Sequence, residues 1–591
     1  RTDNAVKNHW NSTIKRKAEM GAYVMDDDGS PLPPTSLEQG EVGPLYSSHT
    51  NKHYVSPNPP PTTLLQGEVG PSSNTNSHPR LSQRAVGLRL YDDVEKAIKP
   101  HLIRDLKTCL AASAGDAVVH ATLDLWASPY ADPVVAVQLH FLDDDWHIHR
   151  PTVAFRHIGH KNMNVAMARE LEAVLLSYGL FPNNLGYIIT NEAKHTIAAY
   201  DLFCDYRIMC SSQRGDPDEE EMLAFLGDQM PTEDFSEIQF GTRVGCVANM
   251  LQLVIKEALK NSRVVENLLS QVHNVVAFFR RSAYWNEVLL KECGLSLAPS
   301  PGSCRWNSTF VSMRRMVQEA VWGSVMTLLA QARIEAKDSS SSPPMVRAKR
   351  EQVVDIIGLL EPFEEAIQVL QSDAVTFSLI IPSLIGLDKT LETRSTNYSH
   401  FSKGLRSGLH THFQPLILQR DLILVTVLDP RIKLQPFDDT KQEGDTTSLA
   451  APSKFQVQML VKSLEDSEAS SSNSDSGNLK RKSIFSFLQP TAKSIKLSEL
   501  DQYLSEPVLD GDGSTQVFWR DASRFPQLQR AARKLLAVPA TSGGFDRLFP
   551  MASCIVRAKR SRLPPHTTER LALFSTSSYL YNFEVFSCFS L

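Results

Sequence analysis

The stretch Gly186 to Tyr200, "GYIITNEAKHTIAAY", is an apolar run that stops abruptly at Thr190, Asn191 and Glu192. Tyr187, Ile188 and Ile189 predict a buried strand, and Thr196 to Tyr200 the start of a helix. In an open α/β sheet, polar residues just beyond a strand's carboxyl end are where ligands and metals usually sit. Upstream, "TLDLWAS" places Asp124 inside an otherwise apolar strand, where a carboxylate is most often paired or solvated and less often a metal ligand. Hard divalent cations prefer charged oxygens, so Asp124 and the 190–192 corner are the first candidates for such chemistry. The eight cysteines (Cys109, Cys204, Cys210, Cys246, Cys293, Cys304, Cys554, Cys588) are scattered, with no C-x-x-C pair and no Cys/His set at zinc-finger spacing. They read as reduced, buried thiols, and no cofactor is expected.

The elements that must position these residues follow from the pattern around them. From residue 86 a helix is predicted over 89–110. Then come three β-rich runs, "AVVHATLDLWAS", "PVVAVQLHFLD" and "WHIHRPTVAF", separated by Ser128-Pro129 and Asp143-Asp144-Asp145. A helix over about 163–178, the opening strand, another helix and a short run around "YRIMC" follow. This alternation predicts a mixed sheet with helices packed on it. Residues 244–438 are helical in pattern. Ser-rich low complexity fills 439–494, which reads as a disordered linker, and a last compact unit spans 495–585.

Length alone, 591 residues, implies several modules. The net charge of −5 supplies no global attraction to nucleic acid, so any DNA contact must come from local basic patches. No apolar run approaches the ~18 residues that span a bilayer, and no membrane partner is expected. The sequence opens on Arg1 rather than Met and reads as a fragment of a longer protein. Residues 21–85 are rich in Pro, Ser and Asn, and "PPTSLEQGEVGP" recurs there as "PPTTLLQGEVGP". They read as a disordered linker. In residues 1–20, Val6, Trp10 and Ile14 form one apolar helical stripe, with Lys7, Asn8, Asn11 and Ser12 on the other faces. Lys and Asn side chains so presented suit major-groove base edges. This stretch resembles the last helix of a third Myb repeat, of the B-Myb type, and the resemblance makes those four residues DNA-contacting.

"CRWNST", "LLEPF", "VLDPRIK" and "LLAVPATSGGFDRLF" hold Trp, Pro and Arg at positions that helical periodicity does not explain. Together with "YLSEP", "FW" and "RLPPHTTERL", in this order, they resemble the hAT superfamily of DDE transposases and its domesticated, BED-finger-associated relatives, over about residues 86–585. The resemblance implies an α/β fold: an RNase H-like mixed-sheet core (86–243) interrupted by a large all-α insertion (244–438) and completed by a C-terminal dimerisation region (495–585). It also implies two divalent metals held by three carboxylates, clamping the attacking and leaving oxygens. Carried over, the first acid is Asp124. The second falls on Asn191, which is neutral, and the third on Asp546, shorter by one methylene than the family's Glu. The family's C-x-x-H reads Cys246-Val247-Ala248-Asn249, without its histidine. Strand alternation would aim Glu192 away from Asp124. The resemblance therefore predicts degenerate positions at Asp124, Asn191 and Asp546, with no catalysis and no metal.

What remains is binding. The resemblance implies homodimerisation through Leu528, Leu535, Leu536, Pro539 and Phe549, although the same residues could instead close the chain's own core. Lys480-Arg481-Lys482 reads as a nuclear-import patch or a solvated run. The first reading is a domesticated nuclear protein that dimerises, binds DNA and acts in transcription regulation. An active DDE transposase using Asp124, Glu192 and Asp546, and a Myb-related DNA-binding factor fused to transposon-derived sequence, are the alternatives.

Overall fold

The computed structural model describes residues 83–204, 241–297, 305–336, 343–437, 449–471, 498–544 and 565–577, apart from positions 114, 129–130, 160 and 182–183. The segments 1–20, 21–82 and 472–497, with Lys7, Asn8, Asn11, Ser12 and Lys480 to Lys482, lie outside the described residues, as do Asp546, Phe549 and the run around "YRIMC". The chain divides into two units, Arg1–Arg89 and Leu90–Leu591. Of the first, only Gln83–Arg89 is described, the opening of helix α1 (Gln83–Tyr91).

The second unit is mixed α/β and rich in helix. After a π-helical stretch and α2 (Lys99–Ala112), six strands build one mixed sheet: β1 (Val119–Ser128), β2 (Ala131–Leu142), β3 (Ile148–His149), β4 (Thr152–His157), β5 (Leu185–Thr190) and β6 (Thr242–Gly245). The order is β3-β2-β1-β5-β6, with β4 also on β2. β1 is antiparallel to β2 and parallel to β5, and β5 is parallel to β6. Helices α3 (Met163–Ser177) and α4 (Lys194–Cys204) flank β5 in sequence. Val134 to Leu142 are all buried, the mark of a strand covered on both faces.

The structure departs from the sequence pattern in three places. Within 439–494, read as a disordered linker, Lys454–Ser471 is a helix, because Val457 and Val461, four residues apart, pack into the core. The third β run is two short strands, because Arg150 and Pro151 interrupt the ladder, and the Pro151 carbonyl accepts from Leu139 N instead. The helical pattern begins at Val247 rather than 244, since four residues before it pair with β5 as β6. "TRVG" is too short to show alternation.

One face of the β1–β2 hairpin is polar yet buried. His120, Thr122, Gln138 and His140 lie on it, in the pairs His120↔His140 and Thr122↔Gln138. His140 Nε2 meets Thr122 Oγ1 at 3.2 Å. His120 is satisfied at both nitrogens, accepting from Tyr187 N at 3.1 Å and donating to the Lys534 carbonyl at 2.9 Å. Gly186 makes room for it: a Cβ there would lie 2.8 Å from His120 Cε1.

Between the sheet and the C-terminal region lie helices α5 (Val247–Asn261), α6 (Arg263–Arg281), α7 (Ala283–Cys293), α8 (Arg305–Met316), α9 (Glu319–Glu335), α10 (Arg350–Leu370), α11 (Ile380–Thr393), α12 (Ser399–Ile417), α13 (Arg420–Val427) and α14 (Lys454–Ser471). Each buries an apolar stripe in one continuous core that also takes in α15 (Glu499–Ser505), α16 (Thr515–Asp521) and α17 (Pro526–Leu535). A last helix, α18 (Pro565–Ser577), lies on β4. Among the described residues, no helix is long and apolar enough to cross a membrane.

"VLDPRIK" is the joint between α13 and the C-terminal region. The fully buried Asp429 accepts from Arg431 at both oxygens (2.9 and 2.7 Å), from Ser378 Oγ at 2.7 Å and from Thr515 Oγ1 at 3.2 Å. Trp519 Nε1 donates to the Leu428 carbonyl, and Tyr503 Oη to that of Val427. Lys433, buried in its turn, caps the carbonyls of Tyr503 and Glu506, both at 2.7 Å. A buried charge persists only when paired and hydrogen-bonded.

Asp429→Ala strands Arg431 without its partner, and we expect a loss of about 3–5 kcal/mol, read as a lowered thermal midpoint by circular dichroism; an unchanged midpoint would show that the joint does not bear this load. Burial pushes His120 down to about 3, and holds His140 well below the ordinary histidine value. With the folded pKa depressed, the unfolded chain takes up protons first. Stability is therefore complete above about pH 6.5 and falls as pH drops toward 3, by at most ~1.4 kcal/mol per unit for each histidine. The midpoint of His120→Gln is expected to depend less steeply on pH between 6.5 and 4.5 than that of the unsubstituted chain.

Candidate functional site at the ends of β1 and β5

Because β1 and β5 are parallel and Leu123 pairs with Thr190, the next residue of each, Asp124 and Asn191, come side by side at the carboxyl edge of the sheet. Asn191 Nδ2 donates to Asp124 Oδ1 at 2.6 Å. The same oxygen accepts from Leu125 N at 2.8 Å, and Asp124 Oδ2 accepts from Ser542 Oγ at 3.3 Å. The amide orientation is fixed from its other side, where Asn191 Oδ1 accepts from Ala193 N at 3.1 Å. An amide has one accepting oxygen and two N–H donors. Here the oxygen faces its own backbone, and the NH2 faces the carboxylate.

Glu192 turns to the opposite neighbour. Its Oε1 pairs with Arg243 Nη2 at 2.7 Å, while Arg243 Nε donates to Thr190 Oγ1 at 2.8 Å. A Cβ at Gly245 would collide with that same carboxylate oxygen, so the glycine on β6 makes its seat. Strand alternation would apply to Glu192 only if β5 ran through residue 192, whereas β5 ends at Thr190. Arg243, on the strand that the pattern hid, holds Glu192 on the β6 side. Cys246, first residue after β6, donates its N–H to the Thr190 carbonyl, and its sulfur accepts from Ser542 N at 3.3 Å. Burial pushes its thiol up, and Asp124 adds to the rise.

Ser542 reaches Asp124 because the "VPATS" turn is woven into the fold. Val247 N donates to the Ala540 carbonyl, Ala540 N to Thr376 Oγ1, and Thr541 Oγ1 to the Leu370 carbonyl at 3.5 Å. The family's two metals can be tested against these residues. An N–H2 group aimed at Asp124 cannot coordinate a cation, Glu192 is engaged by Arg243, and Asp124 already accepts from three donors. The arrangement does not fit a dication bridging β1 and β5. Asp546, the third acid that the resemblance implies, lies outside the described residues and takes no part in this fit.

The residues assigned to the dimer contact also have definite places. Leu528, Leu535 and Leu536 are buried in the chain's own core beside Trp519 and Phe525, and Pro539 is half-buried. α17 turns its apolar stripe inward, so these leucines are not available to a partner as they stand. Ser542, Arg243 and His120 were not identified from the sequence. The one signal for them was a histidine in an apolar strand, which pattern alone cannot separate from a solvated one.

Asn191→Asp would set two carboxylates at hydrogen-bond distance with no proton between them. We expect a loss of about 1–3 kcal/mol relative to the unsubstituted chain at pH 8 in EDTA, and much of that difference is regained in Mn²⁺ or at pH 5, each variant being compared with the parent in the same buffer. Thermal melts of variant and parent in the three conditions decide it, and a variant as stable as the parent in EDTA would mean that the amide contact is dispensable.

Residues 499–576 match the model of the hAT family C-terminal dimerisation region, and residues 122–209 match that of the ZBED1 RNase-like domain. A "Putative AC transposase" of Zea mays is 20% identical over 482 residues, covering 76% of this chain and 55% of that protein. A "Putative transcriptional regulator tpeD" of Talaromyces stipitatus is 22% identical over 527 residues, covering 79% and 54%. The chain thus spans about half the length of these relatives. A short stretch of 24 residues, 4% of the chain and 3% of the relative, is 79% identical to "Myb-related protein B" of Xenopus laevis. The chain carries an hAT C-terminal dimerisation region and a ZBED1 RNase-like domain, and its homologues are hAT transposases and BED zinc finger proteins.

Proposed function

We propose that this chain is a domesticated, catalytically inactive hAT transposase derivative that acts in the nucleus by dimerising and binding DNA, in the regulation of transcription. The observation that carries the reading is the Asn191 amide hydrogen-bonded to Asp124, where the family's chemistry requires a second carboxylate facing a metal. Phosphoryl transfer of this kind depends on charge-neutralising dications held between acids. An amide removes one negative charge and offers donors instead. In the same reading, the six strands form an RNase H-like core, α5 to α13 are a helical insertion, and α15 to α18 return to complete the core.

The hAT region at 499–576 supports the dimer, and the BED and transcription-regulator names of relatives support DNA work in the nucleus. On the described surface, Arg347 and Lys349 are exposed at the start of α10. Basic groups of this kind give salt-sensitive, sequence-blind phosphate contacts. A second reading is favoured by one observation, the 79% identity to a Myb-related protein over 24 residues. In that reading, residues 1–20 supply Myb-type DNA contact through Lys7, Asn8, Asn11 and Ser12.

The decisive experiment incubates the full chain with Mn²⁺ and DNA carrying hAT terminal repeats. No nicking or strand transfer is expected from it or from Asp124→Asn. Cleavage that disappears in Asp124→Asn would overturn the inactive reading. A deletion of residues 1–20 that abolishes DNA binding would select the Myb reading.

A further inference from the structure

Helix α14 presents two contrasting faces. Inward, Val457 and Val461 are fully buried, in the same core as Leu500, Tyr503 and Trp519 of the C-terminal region. Outward, Phe455 and Met459 stand four residues apart, hence one above the other, and are 68% and 54% exposed. A large aromatic and a thioether aligned in water form a surface that gains by being covered. The helix is fastened to α15 by an ion pair between Lys462 and Asp501 at 3.1 Å. Asp501 belongs to the stretch that matches the hAT dimerisation region, while α14 lies before it in sequence.

We propose that the Phe455–Met459 stripe of α14 is part of the contact with a second copy of this chain, extending the dimer surface beyond residues 499–576. This rests on the dimerisation reading above. Leu528, Leu535 and Leu536 are used inside the fold, so the region must meet its partner through other side chains. Val508 and Val517, in that same region, are 41% and 45% exposed. In a twofold contact one patch meets its own copy. An uncharged stripe does so without like-charge repulsion, and Phe against Met is a favourable sulfur–aromatic pairing. Two side chains do not make a whole interface of about 800 Å² per partner. They have the character of its centre, where a few large residues carry most of the binding.

The test is sedimentation velocity on the full chain across concentration, comparing the parent with Phe455→Glu/Met459→Glu and with Ile334→Glu, a control at another exposed apolar residue. We expect a dimeric parent and control, and a double variant whose dimer is at least ~30-fold weaker at an unchanged thermal midpoint. A dimeric parent with an equally tight double variant would sink the α14 contact and leave the dimer reading standing; a monomeric parent would sink both. A double variant that stays dimeric but melts earlier would assign the stripe to cover from its own chain, again against the proposal. Should the double variant fail to fold, hydrogen exchange of α14 in the parent decides, because protection must rise through the dimer concentration range if the proposal holds.

Discussion

Asp429 is a carboxylate with no exposure to water, and ordering the groups that satisfy it assembles the rest of this fold. Ser378 brings the turn before α11, Arg431 folds back from two residues on, and Thr515 brings α16. With α16 in place, Trp519 donates to the Leu428 carbonyl and Gln529 Nε2 donates to the Trp519 carbonyl, so α17 is positioned in turn. From α17 the backbone runs over the polar face of β1 and β2, meeting His120 at Lys534 and Asp124 at Ser542. The geometry at the sheet's carboxyl edge is thus set more than a hundred residues away. Such polar joints add directional specificity that an apolar core alone does not.

At that edge the balance is electrostatic. Two facing carboxylates repel unless a proton or cation intervenes. With Asn191 opposite, the same space closes as an ordinary charge-assisted hydrogen bond. Glu192 could have supplied the missing charge, but Arg243 neutralises it one strand away, and Thr190 shares that guanidinium. The residues at the corner therefore form two separate, satisfied pairs rather than one acidic cluster.

Much of this was legible in the sequence because it rests on local pattern. The β-rich runs, the strand at 187–189, the helix over 163–178 and the amphipathic helices after Val247 follow from periodicities that burial enforces. The side-by-side placement of Asp124 and Asn191 was implied by the family resemblance and is explained by parallel pairing of β1 with β5. What was not legible depends on long-range partners. β6 is four residues long, and it forms because β5 offers an open edge. The inward turn of Leu528, Leu535 and Leu536 depends on what α17 packs against, and an apolar stripe looks the same whether it faces a core or a partner. Arg243 was hidden for the same reason, its role being defined only by the strand that carries it.

The bond from His120 to the Lys534 carbonyl joins residues 414 positions apart. At translation rates of about 5–20 residues per second, His120 emerges from the ribosome at least ~20 s before its partner at Lys534 exists. During that interval His120 lacks the backbone carbonyl of α17 that it meets in the finished fold. A transcript that ended before α15 would keep every strand of the sheet and lose the surface that makes its polar face tolerable. The strands encoded early therefore become a finished domain only with the synthesis of the last fifth of the chain.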